Sequence, residues 1–146
     1  MKLFVYGTLM AEAVMRSVCG QPFASTPATL HDFRRRRVSG EVYPAIIPCP
    51  GDRVEGALYS GLNATQLALL DVFEGTMYRR AIVDVMTGSG WRSAHTYIMS
   101  PAYHHALTDE PWSLDGFSSN GLRDFIGDYP GFAALGEEGD RYDDHR

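Results

Sequence analysis

The sequence predicts an α+β protein built on a curved sheet with two or three short helices. Three observations carry this. Apolar, β-rich runs recur along the chain at spacings too irregular for repeated βαβ units. Few segments show helical periodicity. Between residues 80 and 99, two alternating runs flank Gly88-Ser89-Gly90, the pattern of a hairpin.

The elements follow in order. Leu3 to Tyr6 is short, apolar and β-rich, and reads as a buried strand that Gly7 ends. From Leu9 to Val18, the apolar positions Leu9, Met10, Ala13, Val14 and Val18 suit an amphipathic helix, with Gly20 as its stop. Phe23 to Val38 is mixed and reads as one or two extended strands. Tyr43 to Pro48 is a short extended piece bounded by prolines, which hold it to an edge or a bulge. Pro50-Gly51-Asp52 marks a turn. Val54 to Tyr59 is a strand in which Gly56 leaves room for a neighbour.

Asn63 is placed to cap a helix from Ala64 to Phe73, where Leu67, Leu70 and Phe73 share a face. Arg80 to Met86 and Trp91 to Met99 form the hairpin, and Pro101 ends it. Residues 101 to 116 read as loop. Ser118 or Ser119 starts a last helix through Tyr129, weakened by Gly121 and Gly127. The expected organisation is one domain over residues 1–130, followed by a polar, charged tail over 131–146 that is expected to be disordered.

Composition narrows the function classes. A chain of 146 residues buries roughly 70% of its unfolded surface on folding, enough for a real core. The net charge of −5 argues against nucleic acid as a partner. No run approaches the roughly 20 apolar residues that cross a bilayer, and the start of the chain is too short an apolar run for a signal peptide. No membrane partner is expected, and a cytoplasmic location is. Cys19 and Cys49 have no histidines nearby at zinc-ligand spacing and are expected as reduced thiols. Lys2 is the sole lysine, which reads as compositional bias.

Two segments carry candidate chemistry. Tyr6-Gly7-Thr8-Leu9 places a glycine turn between a strand and a helix start, where unpaired backbone N–H groups attract an anion. Phe73-Glu74-Gly75 places a carboxylate at the end of an apolar helix face. Burial there would raise its pKa and let it exchange a proton near neutrality. Taken alone, a glycine of this kind ordinarily serves only the turn, and a lone glutamate is ordinarily solvated. Tyr78 and Tyr97 either line a pocket with their hydroxyls or simply pack. Arg34 to Arg37 reads either as an anionic docking patch or, more commonly, as a solvated strand paired with nearby acids. His104-His105 lacks a third metal ligand. No Gly-x-Ser-x-Gly elbow supports a serine nucleophile.

In order, Tyr6-Gly7-Thr8-Leu9, Tyr43-Pro44-Ala45-Ile46, Val54-Glu55-Gly56-Ala57-Leu58-Tyr59, Leu70-Asp71-Val72-Phe73-Glu74-Gly75, Tyr78-Arg79-Arg80 and Ala94-His95-Thr96-Tyr97 resemble the γ-glutamylcyclotransferase-like superfamily. The resemblance covers roughly residues 2 to 100, and its order makes it specific. Pro111-Trp112 to Phe125 is similar to the C-terminal end of the branch that includes plant avirulence-induced-gene-like proteins.

This resemblance implies a small mixed β-barrel flanked by short helices. It implies a lyase, formerly classed as an acyltransferase, that cleaves a γ-glutamyl amide to 5-oxoproline and a free amine. It assigns Glu74 as general acid/base and the backbone of Tyr6, Gly7, Thr8 and Leu9 as the grip on the glutamyl end. Tyr78 and Tyr97 are added as pocket-lining, substrate-binding candidates. The implied partner is a small γ-glutamyl substrate; oligomeric state is left open.

The chemistry suits this chain. The substrate's own α-amine attacks its γ-carbonyl, so neither a protein nucleophile, a cofactor nor a metal is required. γ-Glutamylamines, γ-glutamyl amino acids and γ-glutamyl-ε-lysine stay open as substrates. Glutathione is disfavoured, because that branch is usually longer. A non-catalytic binding module on the same fold is the alternative.

Overall fold

Leu3–Val5 (β1) is buried along its whole length, because the strand has a hydrophobic layer on each face. Leu3 and Val5 join a cluster with the helices, while Phe4 and Tyr6 point into a second cluster with Leu30, Ile46, Val54, Leu58, Val85 and Ile98. An unbroken apolar run, without polar alternation, is the signature of such a position. The computed structural model describes residues 1–117, 125 and 129–135.

The strands β1, Ser25–Arg37 (β2), Pro44–Tyr59 (β3), Tyr78–Thr87 (β4) and Gly90–Met99 (β5) close into a barrel in the order β1-β3-β2-β4-β5. β1 pairs antiparallel with β3 and parallel with β5, where Leu3 faces His95, so the barrel is mixed. Gly56 lies where an added Cβ would strike the Val5 carbonyl and the Phe4 ring. That is the neighbour its missing side chain admits. Glu12–Cys19 (α1) and Ala64–Glu74 (α2) cover the outside of the barrel, with Val14, Met15 and Val18 packed in one cluster with Leu67, Leu70 and Phe73. No described helix is long and apolar enough to cross a membrane.

Several expectations are corrected. The first helix begins at Glu12 rather than Leu9, and Thr8–Met10 is a separate 3-10 turn. Ala11 separates them because its backbone is extended, with ψ 117°. Pro50-Gly51-Asp52 does not end a strand: β3 runs through it for 16 residues. The distortion is absorbed by register, which passes from His31 opposite Arg53 to Phe33 opposite Pro48. Asp32 takes a left-handed φ of 65° there and its carboxylate accepts from the Gly51 N–H at 3.0 Å. The pair is therefore one long, bulged ribbon.

Residues 101 to 116 are more ordered than a loop, with a 3-10 segment at Pro101–Ala106 and a four-residue helix (α3) at Leu114–Phe117. Of the tail expected over 131–146, residues 131–135 are described. Residues 130–135 are helical, and Phe132 packs edge-on against Phe73 with ring centroids 4.9 Å apart. The helix expected from Ser118 or Ser119 to Tyr129 and the rest of the tail, 136–146, lie outside the described residues apart from 125 and 129.

Candidate active site

The site begins with how α2 is fixed at both ends. Asn63 accepts from the Gln66 N–H at 2.8 Å, and the Gln66 side chain accepts from the Asn63 N–H at 3.0 Å. This reciprocal cap starts the helix. Leu67, Leu70 and Phe73 are buried. Gly75, at φ 78°, ends the helix directly after Glu74. Glu74 is thereby delivered at the helix terminus beside the buried Phe73 ring. Asp71 lies one turn earlier on the same side.

The Tyr6 to Leu9 turn is fixed from two sides. A Cβ on Gly7 would lie 2.8 Å from Cγ and 2.9 Å from Cδ of Pro44, so only glycine lets the turn pack against β3. From β2, Arg35 donates to the Tyr6 carbonyl at 2.7 Å and the Glu55 carbonyl at 3.0 Å. Its guanidinium also lies 5.5 Å from the Trp112 ring centre. The Gly7 carbonyl accepts from the Met10 N–H at 2.9 Å. Among the described residues, the N–H groups of Gly7, Thr8 and Leu9 have no acceptor.

These two constructions meet. Tyr6, Gly7, Thr8, Leu9, Glu74, Tyr78 and Tyr97, the residues the sequence singles out, line one cavity at the ends of β1 and α2. Tyr43, Pro44 and Tyr129 join them. The carboxyl of Glu74 is ringed by protein although the residue as a whole keeps some surface through the open cavity. Burial pushes its pKa up to about 8, and the nearby negative charge of Asp71 adds to the rise. At neutral pH it therefore holds its proton.

Four of the lining tyrosines donate hydrogen bonds. Tyr6 donates to the Tyr97 carbonyl at 2.7 Å, Tyr78 to the Pro44 carbonyl at 2.8 Å and Tyr97 to the Asp71 carboxylate at 2.7 Å. Tyr129 donates to the Glu74 backbone carbonyl at 3.3 Å. Burial, with a contribution from Glu74, raises the pKa of all four hydroxyls and keeps them neutral.

Sequence reasoning missed Asp71, Tyr43, Pro44, Arg35 and Tyr129 as contributors. Asp71 carries a usable signal, since a residue three before Glu74 on a helix shares its side. Tyr129 carries none. The other candidates fall away from the site. Arg34 pairs with Asp52 at 2.8 Å and Arg37 with Glu110 at 3.4 Å. Arg36 donates to the Arg35 carbonyl at 2.8 Å. The arginine run is thus tied into the molecule, as a paired strand. His104 sits 3.3 Å from the Met99 carbonyl. Among the described residues, no three His, Cys, Asp or Glu side chains are grouped to hold a metal. Cys19 and Cys49 are both free thiols.

Residues 3–114 match the family model described as gamma-glutamyl cyclotransferase, AIG2-like. The chain belongs to this family. Its AIG2-like relatives include AIG2-like protein D of Arabidopsis thaliana, 38% identical over 129 residues, covering 85% of this chain and 83% of the relative. A solution structure from Arabidopsis thaliana superposes with a TM-score of 0.67 at 26% identity, covering 86% of this chain and 77% of the other. A structure titled gamma-glutamyl cyclotransferase superposes with a TM-score of 0.62 at 20% identity, covering 86% and 97%, and shares the fold. The span matched by the AIG2-like family contains the Tyr6 to Leu9 turn, Glu74, Tyr78 and Tyr97. Tyr129 lies beyond it, so the cavity wall is completed by a segment outside that span.

Proposed function

We propose that this chain is a γ-glutamyl cyclotransferase that converts a small γ-glutamyl amine or γ-glutamyl amino acid to 5-oxoproline and a free amine. One observation carries the reading. A carboxyl with its pKa pushed up to about 8 shares a cavity with a turn in which the Gly7, Thr8 and Leu9 N–H groups have no acceptor among the described residues.

The steps balance without water or a protein nucleophile. The reactive form has Glu74 ionised, the state that a neighbouring substrate ammonium favours by its opposite charge. The substrate α-ammonium gives its proton to that carboxylate. The freed amine attacks the γ-carbonyl carbon and closes a five-membered ring. Glu74 passes its proton to the leaving nitrogen as the bond to it breaks and the oxyanion collapses. The ring nitrogen, which still carries two hydrogens, then gives one up through Glu74, leaving a neutral lactam and the released amine as an ammonium. Holding the γ-glutamyl arm folded contributes up to roughly 7–11 kcal/mol, since the attack is intramolecular. Proton transfer through one carboxylate contributes about 10²–10⁴-fold. The N–H groups of Gly7 to Leu9 are suited to the substrate carboxylate or to the oxyanion. Arg35, behind the Tyr6 carbonyl, holds that turn in place.

The test is a panel of γ-glutamyl amines and amino acids incubated with the protein in H₂¹⁸O and followed by mass spectrometry. The reading expects one unlabelled 5-oxoproline per free amine from at least one member. Labelled glutamate would mean hydrolysis instead. Absence of product across the panel would favour a binding module on the same fold.

A further inference from the structure

Asp71 and Arg80 lie outside the cavity, and their arrangement leads one step further; this step rests on the reading of Glu74 as the residue that moves the proton. An ion pair whose side chains are 42% and 32% exposed contributes little to stability. This one is nevertheless held from several sides. Arg80 donates to both oxygens of the Asp71 carboxylate, at 2.9 and 3.3 Å. A further Arg80 nitrogen lies 2.9 Å from Nδ1 of His95. A guanidinium can only donate, so that ring nitrogen accepts and the imidazole proton sits on Nε2. Burial and the Arg80 charge hold the His95 pKa below its ordinary value, which suits a neutral ring. Asp71 also accepts from the Tyr97 hydroxyl at 2.7 Å. Tyr97 and Tyr78 line both the cavity and a depression on the outer face, where Asp71, Arg80 and His95 join them. The contacts thus run from the outer face, through His95, Arg80, Asp71 and Tyr97, to the cavity wall.

We propose that Asp71 and Arg80 are positioning residues that act on Glu74 from behind the cavity wall: the pair sets the charge that Glu74 faces, and Asp71 fixes the Tyr97 hydroxyl in the same wall. The helix supplies the geometry. Asp71 precedes Glu74 by three residues on α2, which places their Cβ atoms roughly 5–6 Å apart. A negative charge there opposes ionisation of Glu74. The Arg80 guanidinium, which lines the outer depression and not the cavity, offsets part of that charge. Facing Glu74 from the other elements are Tyr6 of β1, Tyr43 ahead of β3, Tyr78 of β4, Tyr97 of β5 and Tyr129. All five are kept neutral by burial. Among the described residues, Asp71 is therefore the ionised neighbour that adds to the effect of burial on Glu74. His95 completes the array by holding Arg80 from the side away from Asp71.

The experiment follows the Glu74 carboxyl directly. Carboxyl ¹³C signals of the whole chain, labelled at glutamate, are titrated by NMR, with Glu74→Gln identifying the signal. Asp71→Asn keeps an acceptor for Tyr97 and loses the charge. Its Glu74 midpoint is expected to fall by about half a pH unit or more. Arg80→Gln loses the offsetting charge, and its midpoint is expected to rise. On a γ-glutamyl compound that is turned over, the rise of kcat/KM with pH should move with the midpoint, downward in Asp71→Asn and upward in Arg80→Gln. An unmoved midpoint in Asp71→Asn overturns the proposal, and so does a midpoint in Arg80→Gln that fails to rise. Lower melting temperatures with unmoved midpoints overturn it too, as the mark of a structural role. Should Asp71→Asn fail to fold, Arg80→Gln decides alone. Midpoints that move while the kcat/KM profiles do not would also overturn it, since the pair would then not act on the reaction. Midpoints that move as expected without turnover of any γ-glutamyl compound would overturn the γ-glutamyl reading and leave the charge-setting role of the pair standing.

Discussion

Glu74 keeps its proton to about pH 8 because burial and Asp71 both oppose its charge. The sign of the consequence follows. The folded pKa lies above the ordinary value of 4.5, so the folded state binds the proton more tightly than the unfolded chain. Stability from this group is full below that value and is lost as pH rises through about 8. The loss is on the order of a few kcal/mol. The charged or titratable groups around it are Asp71 and the tyrosines, and the tyrosines stay neutral across this window. Urea denaturation at pH 5 and pH 9 should therefore show wild type losing more stability than Glu74→Gln. Parallel losses would mean that Glu74 is not buried as described.

Gly7 gives a second residue-scale prediction. A methyl there collides with the Pro44 ring, and Gly7→Ala should cost about 1–3 kcal/mol by overpacking. It should also lower turnover more than a distant substitution of equal cost, because Pro44 carries the acceptor for Tyr78. Thermal melts and turnover at a temperature where both variants are folded check this. At this scale the site was largely legible: Glu74 and the Tyr6 to Leu9 turn stand out as segments. Tyr43 and Tyr129 did not, because nothing local marks a tyrosine that reaches a cavity from a distant element.

Among the elements, α2 was readable nearly to its last residue, because its cap and its apolar face are local. Its stability should respond locally too. Asn63→Ala removes one half of the cap and should cost about 1 kcal/mol. Glu74 lies at the far end of the helix, so the pH dependence of stability should be unchanged in that variant, as denaturation across pH would show. β2 and β3 were not readable as one ribbon. Pro50-Gly51-Asp52 has the composition of a turn, and only the opposing Asp32, in a left-handed conformation, turns it into a bulge. The short break at Ala11 was equally hidden, since the apolar pattern runs through it while the backbone does not.

For the whole molecule, the hairpin of β4 and β5 was visible in the local pattern, whereas the closed barrel was expected only from the family resemblance, and the structure has it. Closure depends on β1 pairing in parallel with β5, a contact between Leu3 and His95 with no local signal. It depends also on a short seam between β2 and β4, where Ala28 pairs with Thr87 and Thr29 with Met86. The β2–β3 ribbon is paired nearly end to end. Native-state hydrogen exchange should therefore find amides of the β2–β4 seam opening before those of the β2–β3 ribbon; equal protection would contradict the seam as the weak line. The barrel's role is to hold the β1 turn against the end of α2, and the central claim is that Glu74 moves the proton there. The most direct measurement is the rate of 5-oxoproline release by Glu74→Gln beside wild type, on whichever panel compound wild type turns over, with circular dichroism to verify the fold. The account predicts a folded variant slowed by at least about 10²-fold. A folded variant with the wild-type rate would contradict it.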